Sequence, residues 1–201
     1  MKFVFVALLA LCGMSMAHQL GCSPEGKPGH LFGADVNGKD LEVYQFSDER
    51  KVNGHQALVR AKNSSQTFQF YRCAAPFGKY KSGGQIRSVQ NKTLCVTPGA
   101  VNIYHTNFTT TQYPEDADPR ISLQPCATSH SLELRKQWFS NSASPKKCIE
   151  QMTLQGWKTD APSDTIVMSE NGVVLGTHVM NSSTIQQLFL GPSNGFNNTC
   201  A

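Results

Sequence analysis

Apolar side chains recur at every second position in short runs along this chain, and the clearest run lies between Arg120 and Phe139, RISLQPCATSHSLELRKQWF. Ile121 and Leu123 alternate with Ser122 and Gln124, the period of a strand with one buried face, and Pro125 ends the ladder. Trp138 is the expected core anchor of this unit. Weaker copies stand on both sides: Asn63 to Phe70 reads NSSQTFQF and Asn181 to Leu190 reads NSSTIQQLFL, with Phe68 and Phe189 in the place of Trp138. Once a polar insertion from Asn107 to Pro119 is set aside, the copies recur at a period of roughly fifty residues, which predicts a threefold all-β repeat.

Further strands are expected at Leu41 to Phe46, Ala57 to Ala61, Phe68 to Cys73, Gln85 to Val89, Leu94 to Thr97, Val101 to His105, Cys148 to Met152, Ile166 to Ser169, Val173 to Thr177 and Gln187 to Leu190. Turn signals separate them: Asn37-Gly38, Asn53-Gly54, Gly83-Gly84, Pro98-Gly99 and Asn171-Gly172. No window keeps a helical period over three turns, and Leu132 to Trp138 reads as loop. The Gly- and Pro-rich stretch from His18 to Gly33 reads as an extended arm. About a dozen short strands must stack as a sandwich or close into a barrel, because open edges invite association. Three similar units favour closure.

The length of 201 residues suits one domain. Lys2, the apolar run Phe3 to Leu11 and Ser15-Met16-Ala17 form a secretory signal peptide over residues 1–17. The run is too short for a membrane anchor, which needs about twenty apolar residues. Of seven cysteines, Cys12 leaves with the leader. Cys22, Cys73, Cys95, Cys126, Cys148 and Cys200 remain, an even set for three disulfides in an oxidising, extracellular compartment. Sequons at Asn63, Asn91, Asn107, Asn181 and Asn197 mark surface positions open to glycosylation. The formal charge of +4 is spread out, which gives little support to nucleic-acid binding.

The second unit, GGQIRSVQNKTLCVTPG followed by RISLQPC and KQWF, resembles the repeat of ricin B-type lectin domains, which are β-trefoils. The resemblance implies a trefoil domain over residues 31–201, preceded by an arm at 18–30. The first unit would run from Leu31 to Ala75, with Leu41-Glu42-Val43 in the family's Cys-Leu-Asp place. The third would run from Ser144 to Leu190, with Cys148-Ile149-Glu150 there and Gln187-Leu188-Phe189 closing it. Cys95 and Cys126 would take the places of the pair bridged within one repeat of the family. Joining Cys22 to Cys200 would close the longest loop and remove roughly 5 kcal/mol of unfolded-state entropy, leaving Cys73 for Cys148. Equal spacings support a rival set, Cys73 with Cys95 and Cys126 with Cys148.

In that family an Asp accepts hydrogen bonds from vicinal sugar hydroxyls while an aromatic ring stacks on the sugar face. The Asp place here holds Glu42, Thr97 and Glu150. The expected carbohydrate-binding residues are therefore Glu150, Gln186, Gln187 and Trp157 in the third unit and Glu42, Tyr44 and Gln66 in the first. Against this, Gln66, Gln137 and Gln187 are expected to bond backbone within their own repeats, as buried amides usually do. A copper site at a mature His18 lacks a placed second histidine among His30, His55, His105, His130 and His178. The acidic loop Tyr113 to Asp118 lacks calcium-loop spacing. No hydrolase, nucleotide or zinc signature is present, so neither catalysis, metal nor cofactor is expected. The expectation is a secreted lectin that binds glycans; the competing one is a trefoil protease inhibitor or effector that holds an extracellular protein through the Asn107 to Pro119 insertion.

Overall fold

The computed structural model describes residues 20–35, 42–74, 82–104, 110–114, 116–144, 149–154, 168–171, 174–177 and 186–192. The predicted leader, His18, Asn107, Cys148, Trp157, Asn181, Asn197 and Cys200 lie outside the described residues, as do the side chains of Gln186 and Gln187. The chain is mostly antiparallel sheet with one short helix. In order come β1 (Cys22–Asp35), β2 (Glu42–Val52), β3 (His55–Ala61), β4 (Phe68–Cys73), β5 (Gly83–Ser88), β6 (Leu94–Pro98), β7 (Val101–Tyr104), β8 (Thr110–Tyr113) and β9 (Ile121–Pro125). There follow α1 (Leu132–Lys136), β10 (Phe139–Ser144), β11 (Ile149–Leu154), β12 (Met168–Asn171), β13 (Val174–Thr177) and β14 (Gln186–Gly191).

Six strands close a ring: β1 pairs β4, β4 pairs β5, β5 meets β10, β10 pairs β11, β11 pairs β14, and β14 returns to β1. Three hairpins, β2–β3, β6–β9 and β12–β13, stand beside it and are joined at β3, which bonds both β9 and β13. The β2–β3 turn is Asn53-Gly54, both at positive φ (50° and 81°), as a two-residue hairpin turn demands. Between β6 and β9 a separate two-stranded sheet, β7–β8, is inserted. Within the predicted insertion, Thr110–Tyr113 is thus a strand paired with one that begins earlier, at Val101.

The ring and the β2–β3 and β6–β9 hairpins share one core. The inward period-two positions Leu31, Phe68, Phe70, Ile86, Phe139, Met152, Leu154, Leu188 and Leu190 pack with Tyr44, Phe46, Leu58, Val96, Ile121 and Leu123. Trp138 and Phe189 are not in this cluster. Trp138 packs with Cys73 and Leu134 on the outer side, and Phe189 with Phe32 and Ile149. The expectation that Phe68, Trp138 and Phe189 meet is therefore corrected: the side chains that share the core are Phe68, Phe139 and Leu188, because strand alternation turns the neighbour inward.

Four further expectations change. The stretch read as an arm from His18 to Gly33 is, from Cys22 on, part of ring strand β1. Leu132–Lys136 is a helical turn, with Ser131 as N-cap accepting from the Leu134 N–H at 3.1 Å and Glu133 in the first turn. Gly83-Gly84 is not a turn but the start of β5. A Cβ on Gly83 would stand 2.6 Å from the Phe139 carbonyl oxygen and 2.6 Å from Trp138 Nε1, so glycine lets β5 approach β10 where the ring closes. Finally, the disulfides are Cys22–Cys73 and Cys95–Cys126. The first overturns both Cys22–Cys200 and Cys73–Cys148, and together the two overturn the rival set. The reason is register: β1 places Cys22 directly opposite Cys73 on β4.

Candidate functional site

Ring strands carry apolar residues inward near the hairpins, and alternation continues into a polar layer at the far end. On β4 the inward series is Phe68, Phe70, Arg72; on β10 it is Phe139, Asn141; on β11 it is Leu154, Met152, Glu150. There Arg72 donates from Nε and Nη2 to Glu25 of β1 at 2.6 and 2.8 Å, and from Nη2 to Asn141 Oδ1 at 2.7 Å. Its Nη1 reaches Ser82 Oγ at 2.9 Å, and its guanidinium carbon stands 5.2 Å from the Phe70 ring centroid. Asn141 Nδ2 donates to Glu25 Oε1 and to Glu150 Oε2, each at 3.1 Å. Four strands are thus tied by charge-assisted bonds where apolar packing runs out.

The layer faces water: the Arg72 and Glu25 side chains are 34% and 39% exposed. The hydrogen bonds from Arg72 hold the Glu25 carboxyl below its ordinary range, and Glu25 in turn raises Arg72. Glu150 Oε1 lies against Gly26, where a Cβ would come within 2.8 Å of it, and it makes no hydrogen bond to another described residue. Gly26 is at φ 71°, a backbone that admits glycine without strain. An acceptor oxygen at a solvent-facing mouth, next to an amide and a guanidinium, suits a hydroxyl-bearing ligand.

The other predicted residues divide by burial. Glu42 is partly exposed and forms an ion pair with Arg60 at 2.7 Å; Tyr44 donates its hydroxyl to Glu42 at 2.9 Å. The Tyr44 ring is fully buried in the core, and burial, followed by the bond to Glu42, raises its pKa. No face of this ring reaches solvent, so Tyr44 offers a sugar no stacking surface. Gln66 is engaged by backbone: Oε1 accepts from the Phe46 N–H at 2.7 Å and Nε2 donates to the Phe46 carbonyl at 2.8 Å.

Gln137 does the same work from full burial. Its Oε1 accepts from the Ala127 N–H at 2.8 Å and from Gln85 Nε2 at 3.1 Å, while Nε2 donates to Thr97 Oγ1 at 2.9 Å and the Pro125 carbonyl at 3.0 Å. The structural role expected for Gln66 and Gln137 thus describes both.

The structure separates the predicted set. Glu42 lies on a hairpin strand, whereas Glu150 lies on ring strand β11; in the last third of the chain the hairpin is β12–β13, so Glu150 does not occupy the position that Glu42 does. Glu25, Arg72 and Asn141, which do surround Glu150, were not singled out from sequence. Their only signal was a polar residue interrupting the inward series of each strand. Among the described residues no group of three or more His, Cys, Asp or Glu is placed to hold a metal ion. In comparison with known proteins, the chain matches no family model, no curated protein and no solved structure.

Proposed function

We propose that this chain is a secreted, non-catalytic β-trefoil, similar to ricin B-type lectins, that binds glycans. The strand order carries the proposal. Three times along the chain a ring strand, a hairpin and a second ring strand follow one another: β1, β2–β3, β4; β5, β6–β9, β10; β11, β12–β13, β14. A ring of six strands beside three hairpins is the trefoil plan, and the glutamine clamps at Gln66 and Gln137 precede the second ring strand of their units. The Cys95–Cys126 bridge joins the residues that the resemblance pairs. Two disulfides are compatible with an extracellular protein, and among the described residues no helix is long and apolar enough to cross a membrane.

Sugar recognition needs carboxylate acceptors with donors beside them. Glu150 with Asn141 and Arg72, and Glu42 with Arg60, supply that chemistry at partly exposed positions. Probing the mature protein on a broad glycan array tests the proposal: saturable signals that weaken in Glu150→Ala or Glu42→Ala are expected, and silence across the array overturns it.

A second activity, capture of an extracellular protein, is favoured by the β7–β8 hairpin, a sheet of its own on an anchored base. The Gly99 N–H donates to the Arg120 carbonyl at 3.1 Å, and Arg120 grips Asp118 through its guanidinium, which depresses the Asp118 pKa. Replacing residues 102–112, which leaves the buried Val101 in the core, with a short glycine linker is expected to abolish protein capture and spare glycan binding; retained capture contradicts this reading.

A further inference from the structure

Three arginines on this surface are matched to carboxylates. Arg60 pairs with Glu42, Arg72 with Glu25 and Arg120 with Asp118. Arg87, on the outer face of β5, has no carboxylate partner among the described residues. Its Nε and Nη2 both donate to a single neutral oxygen, Gln85 Oε1, at 3.2 and 2.7 Å. One face of the guanidinium is covered by the Tyr71 ring, with the guanidinium carbon 4.6 Å from the centroid. Burial lowers its pKa, the opposite of the shift in Arg72 and Arg120.

A guanidinium carries five N–H donors, and Nη1 here makes no hydrogen bond to another described residue. Withdrawing a cation from water costs free energy that an opposite charge normally offsets. Tyr71 is buried and Gln85 fully so, which fixes the plane of the guanidinium, and Arg87 itself is partly exposed. Gln85 is itself held, its Nε2 donating to the Ala127 carbonyl at 2.8 Å and to Gln137. A partly exposed guanidinium held in one plane is oriented in advance for an anion that presents a pair of oxygens.

We infer that Arg87, backed by Tyr71 and oriented by Gln85, is an anion-recognition position that takes the carboxylate or sulfate substituent of an acidic glycan. This rests on the glycan-binding proposal for its ligand class, and it places a contact outside Glu42 and Glu150. A uronic acid and a sulfated sugar present the same chemistry, a pair of oxyanion oxygens, and differ only in source.

The test follows the Arg87 Nε–Hε resonance of the disulfide-intact mature protein by NMR. The probes are a glucuronate-terminated disaccharide, the same disaccharide with its carboxyl reduced to hydroxymethyl, a sulfated disaccharide, and sodium sulfate and sodium glucuronate alone. A saturable shift with a charged disaccharide, at least tenfold weaker with the reduced one, is expected; by calorimetry, affinity for the charged disaccharide falls at least tenfold in Arg87→Met, and Arg87→Lys, which retains the charge without the two-pronged edge, binds more weakly than wild type. The glucuronate and sulfate arms identify which anion is preferred. No Arg87 shift with any anion, alongside glycan-array signals unchanged in Arg87→Met, overturns the anion position and leaves glycan binding standing. A shift with free anions but silence on every glycan overturns the glycan class and retains the anion position. Silence with every probe overturns both.

Discussion

Arg72 grips Glu25 through two parallel hydrogen bonds, 2.6 Å from Nε and 2.8 Å from Nη2, and so ties β4 to β1 at the polar end of the ring. Because the pair is more than a third exposed, solvent screening holds its contribution to about 1 kcal/mol or less. The folded pKa of Glu25 lies below its unfolded value, so this contribution is complete above the ordinary carboxylate range and is lost as pH falls through the depressed value. Urea melts at neutral pH and near pH 3 are expected to differ less in Glu25→Gln than in wild type. An unchanged pH dependence contradicts the linkage.

Gly26 separates stability from ligand contact. Alanine at φ 71° costs about 1–2 kcal/mol, and its Cβ would stand 2.8 Å from Glu150 Oε1, so the carboxylate must turn. Gly26→Ala is expected to lower the melting temperature modestly and to weaken glycan binding as Glu150→Ala does. Full retention of binding would mean that Glu150 is not a contact.

The glutamine clamps differ in depth. Gln137→Leu leaves the Ala127 N–H, the Pro125 carbonyl and Thr97 without their partner in a dry interior, which costs roughly 3–5 kcal/mol. Gln66→Leu, less buried and bonded to one residue, is expected to cost about 1–2 kcal/mol. Equilibrium denaturation measures both, and an equal cost contradicts the difference in burial.

Mass spectrometry of unreduced peptides is expected to recover Cys22 linked to Cys73 and Cys95 linked to Cys126. Replacing Cys95 and Cys126 together opens a 31-residue separation and is expected to cost about 3–4 kcal/mol. A Cys22–Cys200 peptide contradicts the β1–β4 register.

Strands whose inward face is apolar were legible in the sequence: Phe68–Cys73 has the predicted bounds, and β6, β9 and β13 lie within a residue or two. The missed elements lack that signal. Strand β1 contains Gly and Pro at four of its first eight positions, and β10, FSNSAS, has Phe139 as its one large apolar residue. Trp138 drew the register off by one residue, since bulk suggests a core anchor but alternation turns Phe139 inward and Trp138 toward Leu134. Loop-closure entropy favoured Cys22–Cys200 because it counts chain length alone, while pairing across β1 and β4 decides which sulfurs can meet. Glu150 is partly exposed, but its neighbours come from β1, β4 and β10, and no local pattern announces residues that meet only when a ring closes.

The most direct measurement is a titration of the strongest glycan-array ligand into wild type, Glu42→Ala and Glu150→Ala, each with the wild-type disulfides. Saturable wild-type binding that falls at least tenfold in one of the two variants is the predicted result. Binding that neither substitution weakens, or no glycan ligand at all, contradicts the account.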